Sequence, residues 1–248
     1  MSWPAPPVQW IGHSDPVRSI SCSPNGNHIA TGANDKTICI WDVETGATIG
    51  NPLKGHTSGV HSVAYAPNGQ YIASGSHDMT IRVWDAQTGA PVGTPLEGHT
   101  DGVLDIAYSP SGQHIISGSR DQTIRIWDAE TGAVIGTPLE GHTDFVQSVA
   151  CSPNGRHIIS GSSDNTVRIW DADTGAAVGN PLKGHTDDVQ SVAYSADGHH
   201  IVSGSDGMTI RIWDASTGAP IGIPLEGHKF GVECCLLSQW AVCRLRVL

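Results

Sequence analysis

A strict period of 43 residues governs this chain. Gly-His pairs begin at Gly12, Gly55, Gly98, Gly141, Gly184 and Gly227, and Trp-Asp pairs begin at Trp41, Trp84, Trp127, Trp170 and Trp213. No insertion or deletion breaks either series. A fixed spacing in this range marks a repeat architecture whose units cannot bury their apolar faces alone. The 248 residues therefore read as one stacked or closed object.

Each full copy predicts four short strands. In the third, VLDIAYS alternates and gives a first strand, and SPSG follows as a Pro/Gly turn. HIISGS gives a second strand, TIRIWD a third, AETG a second Gly-terminated turn, and AVIGTPLEG a fourth strand. Short strands with a turn signal after each argue for an all-β meander. Four-stranded meanders at this period are propeller blades, and ring closure limits exposed strand edges. Five complete units span 12–54, 55–97, 98–140, 141–183 and 184–226. Residues 1–11 form a proline-rich lead-in. A sixth unit starts at 227–230 and continues, degenerate, over 231–248, where SQWAVCRLRVL replaces the expected turn and second strand. Its first strand survives, and the tail alternates weakly enough to form one more.

Charge and cysteine usage narrow the setting. The net charge of −11 repels phosphate backbones, and the Lys and Arg residues are dispersed, so nucleic acid is disfavoured as a partner. No stretch approaches the ~18 apolar residues of a membrane span, and MSWPAPPVQW lacks the features of a secretory signal. Cys22 and Cys151 stand where other copies have Tyr65, Tyr108 and Tyr194, and read as small fillers of a partly buried position. No C-x-x-C occurs. The expectation is a reduced, intracellular setting, cytoplasmic with the nucleus left open.

Every copy also carries a Ser or Thr, a His and an Asp, which invites a catalytic-triad reading. The sets are His13, Thr31, Asp35 and Trp41; His56, Ser74, Asp78 and Trp84; His99, Ser117, Asp121 and Trp127; His142, Ser160, Asp164 and Trp170. A triad needs one activated serine, not five copies, and no G-x-S-x-G elbow is present. Repetition suits a hydrogen-bond relay in each unit instead, running from Asp through His and the hydroxyl to the Trp indole. The thirteen histidines are likewise dispersed over the repeats, without ligand spacing for a metal, and no phosphate loop occurs. No cofactor is expected.

These residues in this register closely resemble the WD40 family over residues 12 to 228. The resemblance implies a structural tetrad in each blade, a propeller, and a role in holding other proteins. It also implies closure of the ring by a strand from one terminus. Here VQWIGH would complete the sixth blade begun by residues 231 to 248. Such uniform copies are similar to the WD40 arrays attached to NACHT-type NTPases. The fifth copy departs from the pattern: His185, Ser203 and Trp213 are present, but Gly207 holds the Asp position and the acid sits one place earlier, at Asp206. That relay is expected to be incomplete or rearranged.

Function on such a scaffold belongs where the copies differ. One variable set starts the first strand: Arg18, His61, Leu104, Gln147 and Gln190, with Phe145 breaking the pattern beside them. The other follows the second strand: Asn34, His77, Arg120, Ser163 and Asp206. In a WD40-like propeller both lie on one face, called the top. Aromatic and Arg side chains dominate binding energy, which singles out Phe145, His61, Arg18, Arg120 and Leu104. Arg82, Arg125, Arg168 and Arg211 repeat in register and read as structural. The leading expectation is a non-catalytic scaffold that binds a protein or peptide on this face and neither nucleic acid nor membrane. Self-association through the incomplete last blade is a further expectation. The alternatives are a multivalent small-ligand or glycan binder with one site per blade, and an enzyme with unique groups in the channel.

Overall fold

The computed structural model describes residues 12–226 and, as backbone, the strands Val232–Leu237 and Trp240–Leu245. All described elements are strands. Blade 1 comprises β1 (Val17–Cys22), β2 (His28–Ala33), β3 (Thr37–Asp42) and β4 (Leu53–Lys54). Blade 2 comprises β5 (Val60–Tyr65), β6 (Tyr71–Ser76), β7 (Ile81–Asp85) and β8 (Pro91–Leu96). Blade 3 comprises β9 (Val103–Tyr108), β10 (His114–Ser119), β11 (Ile124–Asp128) and β12 (Val134–Leu139). Blade 4 comprises β13 (Val146–Cys151), β14 (His157–Ser162), β15 (Thr166–Asp171) and β16 (Leu182–Lys183). Blade 5 comprises β17 (Val189–Tyr194), β18 (His200–Ser205), β19 (Ile210–Asp214) and β20 (Pro220–Leu225). Each is an antiparallel meander in chain order, and β21 (Val232–Leu237) pairs with β22 (Trp240–Leu245) as a two-stranded sixth sheet.

The turns show why this sequence makes these sheets. In SPSG, the Gly112 amide donates to the Ser109 carbonyl at 2.9 Å with φ of +74°, a conformation glycine adopts without strain. After β11, the Asp128 carboxylate accepts from both the amide and the hydroxyl of Thr131, each at 2.7 Å. The Asp of each Trp-Asp pair thus ties down the turn that follows it.

The core lies between blades, not within them. Ile38 and Ile40 of blade 1 pack with Val60, Val63, Ile72 and Trp84 of blade 2, and the cluster recurs at each following junction. Glycine in the second strand permits the close approach. A Cβ at Gly118 would lie 2.7 Å from Val146 Cγ1, and one at Gly32 would lie 2.6 Å from Val60 Cγ1. Burial of each such apolar side chain contributes roughly 1.5–3 kcal/mol.

Polar side chains stitch the first strands together as well. The Ile106 amide donates to Ser62 Oγ at 3.1 Å, the Val149 amide to Asp105 Oδ2 at 2.9 Å, and the Val192 amide to Ser148 Oγ at 3.3 Å. Asp105 replaces the serine of its neighbours and also accepts from Ser62 Oγ at 2.8 Å. Burial raises its pKa despite these bonds.

Two expectations change. The fourth strand shrinks to two residues in blades 1 and 4, where Asn51 and Asn180 replace the β-branched Thr94 and Thr137. Cys22 is exposed rather than partly buried, because no described blade precedes β1, whereas Cys151 is half-buried. Val17 and Ile20 of β1 are 45% and 48% exposed for the same reason, while Val60, Val103, Val146 and Val189 are fully buried. The closing strand VQWIGH falls mostly on residues outside the described set, so ring closure through it is not among the observations.

Candidate functional site

The tetrads form as hydrogen-bonded relays. In blade 2 the Trp84 indole donates to Ser74 Oγ at 2.8 Å, His56 Nε2 lies 2.8 Å from the same oxygen, and His56 Nδ1 lies 2.9 Å from Asp78 Oδ2. One proton arrangement satisfies them all: the hydroxyl donates to Nε2 and Nδ1–H donates to the carboxylate. Blades 3 and 4 repeat this, with His99–Asp121 at 2.8 Å and His142–Asp164 at 2.7 Å. Blade 1 does so with Thr31, which takes the Trp41 indole at 2.7 Å and faces His13 Nε2 at 2.8 Å; Asp35 receives His13 Nδ1 at 2.9 Å. The hydroxyls of Ser74, Ser117, Ser160 and Ser203 belong to residues with no exposed surface, which leaves a nucleophile no access to substrate.

A fifth member escaped the sequence reading. Thr80 Oγ1 donates to Asp78 Oδ1 at 2.7 Å, while the Thr57 amide holds Oδ2 at 2.8 Å. Thr37, Thr123 and Thr166 repeat the hydroxyl bond. The signal was present, since Thr stands two places after each tetrad Asp. Burial alone would raise the pKa of Asp78, Asp121 and Asp164. Hydrogen bonds from histidine and threonine outweigh it and hold all three well below the usual carboxylate range.

Blade 5 is rearranged. His185 Nε2 keeps Ser203 Oγ at 2.7 Å, and the Trp213 indole keeps it at 2.8 Å. With Gly207 in the Asp position, His185 Nδ1 turns to Thr209 Oγ1 at 3.0 Å. Asp206 does not substitute, because its Oδ2 accepts from Gln190 Nε2 at 2.7 Å. Burial, with Arg211 nearby, lowers the His185 pKa to about 4.

The repeated strand arginines lie against the same machinery. A Cβ on Gly55 would sit 3.0 Å from Arg82 Nη1, and the guanidinium carbons of Arg168 and Arg211 lie 6.0 and 5.9 Å from the Trp170 and Trp213 rings. Blade 1 has Cys39 in that position, 3.9 Å from His13 Nδ1, with burial raising its thiol pKa to about 11.

The meander carries the start of the first strand and the loop after the second to the same end of every blade. The two variable sets meet there. Arg18 Nε donates to Asn34 Oδ1 at 2.9 Å, and the rings of His61 and His77 stack at 3.8 Å. Gln147 Nε2 donates to Ser163 Oγ at 2.8 Å, and Gln190 pairs with Asp206 as above. Leu104 and Arg120 occupy the matching positions in blade 3. Neighbouring blades touch as well: Arg120 lies over the Phe145 ring at 5.5 Å, and Ser163 Oγ donates to Asp188 Oδ2 at 2.7 Å. Leu104 is a correction: at 8% exposure it presents little surface to a partner, whereas Phe145 is 37% exposed and Arg18 is exposed. No group of three or more His, Cys, Asp or Glu among the described residues is arranged to hold a metal ion.

The family model described as "WD domain, G-beta repeat" matches residues 6–42, 47–85, 89–128, 132–171 and 178–214. The chain belongs to the WD40 family. Proteins similar to part of this chain include the ribosome biogenesis protein BOP1 homolog of Drosophila virilis, 45% identical over 49 residues, which is 18% of this chain and 6% of that protein. The homolog of Drosophila ananassae is 50% identical over 38 residues, 15% of this chain and 5% of that protein. The likeness therefore spans about one repeat, and the matched segment covers a small fraction of those relatives' length. No helix among the described residues of this WD40 chain is long and apolar enough to cross a membrane.

Proposed function

We propose that this WD40 chain is a non-catalytic scaffold that binds a protein or peptide on the loop face formed by blades 1 to 5. The observation that carries the reading is the fate of the two variable sets. They meet pairwise at one end of blades 1, 2, 4 and 5 and bring chemistry that varies from blade to blade. The residues that repeat are taken up by tetrads, turns and blade packing. The relatives' name supports membership of a multi-component assembly inside the cell, and it keeps a nuclear setting beside the cytoplasmic one.

The test is affinity capture with the wild-type chain and with Arg18→Ala, Phe145→Ala and Arg120→Ala combined. The expected result is loss of the captured partner with little change in melting temperature, because Arg18 and Phe145 are exposed and Arg120 is only partly buried. Undiminished capture would refute the assignment of this face. A glycan or small ligand bound once per blade would instead give several equivalent sites in calorimetry, and the non-identical loop pairs speak against it.

Association with a second copy through the last blade is supported by a separate contrast. Leu225 is 51% exposed, while Leu53, Leu96, Leu139 and Leu182 are 5–9% exposed beneath the following blade. Light scattering that shows a monomer at every concentration would remove this expectation.

A further inference from the structure

We infer that blades 1 to 3 of the loop face form a seat for an anionic side chain of a partner peptide, a carboxylate or a phosphate, over the His61–His77 stack and between Arg18 and Arg120. The inference rests on the reading of this face as the binding face and names the chemistry it selects.

Charge is divided across the face. Blades 4 and 5 bring Asp144, Asp187, Asp188 and Asp206 together. Burial raises the pKa of Asp188, and the three other carboxylates raise it further against a bond from Ser163. That side turns an anion away. In blades 1 to 3 the cations outweigh the acid. His77 is half-buried, and burial, Arg120 and Arg18 lower its pKa against the one carboxylate that acts on it, Asp101. His61 covers that ring at 3.8 Å. The only ion pairs among the described residues are the four His–Asp pairs of the tetrads, so neither Arg18 nor Arg120 has a carboxylate counter-ion there. Each arginine is held by a neutral partner instead, Arg18 by Asn34 at 2.9 Å and Arg120 by the Phe145 ring at 5.5 Å. His77 Nε2 and Arg120 Nε are buried without a hydrogen-bond partner.

Two arginines positioned by neutral neighbours keep their charge available. The glycines Gly59 and Gly102 let the loops of adjacent blades pack closely here: Cβ atoms there would come 3.4 Å from Asn34 Cα and 3.2 Å from His77 Cα. A guanidinium recognises a carboxylate or phosphate through charge-assisted, often bidentate bonds. The net charge of −11 does not prevent this. Screening confines such interactions to about 8 Å at physiological salt, so one side chain feels chiefly the local arginines. A long polyanion such as RNA would also cross the acidic half.

The probes are a Gly-Ser peptide with three central glutamates, its phosphoserine analogue, its lysine analogue and a decauridine RNA, each fluorescently labelled and titrated against the full chain. Tighter binding of the glutamate or phosphoserine peptide than of the lysine peptide is expected, and the stronger of the two identifies the anion. Arg18→Gln with Arg120→Gln should weaken it about tenfold or more. Equal binding of the lysine peptide, tighter binding of the RNA, or indifference to the double variant would each overturn the seat. Capture separates the two levels. If Arg18→Gln with Arg120→Gln retains a partner that the variant including Phe145→Ala loses, the seat fails and the binding face stands. If both retain it, the face itself fails.

Discussion

Blades 3 and 5 share their strand pattern, their Trp and their buried Ser, yet they treat the buried histidine oppositely. His99 donates a hydrogen bond from Nδ1–H to Asp121, which Thr123 and the Thr100 amide hold in place. His185 meets only the hydroxyl of Thr209. The first arrangement anchors the ring on a carboxylate, and the second anchors it on a neutral hydroxyl. Asp→Gly at one position therefore removes the carboxylate without removing the relay. The part of the relay that all five blades keep is Trp, a Ser or Thr hydroxyl and His, and the acid is its adjustable end.

Making blade 3 resemble blade 5 is the strongest way to break that comparison. Asp121→Gly leaves the Thr100 amide and the Thr123 hydroxyl without their acceptor, and a destabilisation of roughly 2–4 kcal/mol is expected in urea unfolding. Backbone freedom accounts for roughly 0.5–1 kcal/mol of this, which Asp121→Ala would separate. A loss below about 0.5 kcal/mol would show that the carboxylate is dispensable in every blade.

The sequence carried most of this architecture, for a physical reason. Five copies of one solution let shared residues be separated from unshared ones within a single chain. The period placed every strand, and the repetition of Ser, His and Asp argued for structure over catalysis. Thr123 was overlooked because threonine is common in strands and its role depends on a side-chain bond across the turn. Asp105 was overlooked because its acceptors' partners lie one whole repeat away, on Val149 and Ser62. The pairing of Arg18 with Asn34 and of His61 with His77 was hidden for a similar reason. Members of a pair stand 16 residues apart and meet only when the first two strands fold back on each other.

Acid should act on the two blades in order. His185 has a folded pKa of about 4 against an ordinary 6.5, so the unfolded chain takes up its proton first as the pH falls. Stability contributed by its neutral form is present above 6.5 and is lost between 6.5 and about 4, by an amount on the order of 2–3 kcal/mol. Asp78, Asp121 and Asp164 have depressed values, so their contribution is retained through that window and is lost only as the pH falls below their ordinary 3.8. Exchange of the Trp213 indole proton should therefore accelerate between pH 6.5 and 4 while that of Trp127 does not. Simultaneous acceleration would mean that the blades open together and that the difference between the histidines has no local consequence.

The smallest change tests the comparison from the other side. Gly207→Asp restores to blade 5 the acid that blade 3 has. Room exists, because the new Cβ would meet Thr186 Oγ1 at 2.8 Å, the movable end of a small side chain, and Asp187 Cβ only at 3.5 Å. The Thr186 amide is the counterpart of Thr57, whose amide donates to Asp78 at 2.8 Å. The new carboxylate gains His185 and Thr209 as partners but joins a face that already carries Asp187, Asp188 and Asp206, so the net gain should be modest, about 1–2 kcal/mol. The melting temperature should rise, and the His185 pKa, followed by its ring proton shifts, should climb. The loss of stability between pH 6.5 and 4 should shrink with it. An unchanged His185 titration would show that Thr209 already holds the ring in a position the carboxylate cannot reach, and that blade 5 is a different stable solution rather than a weakened copy of blade 3.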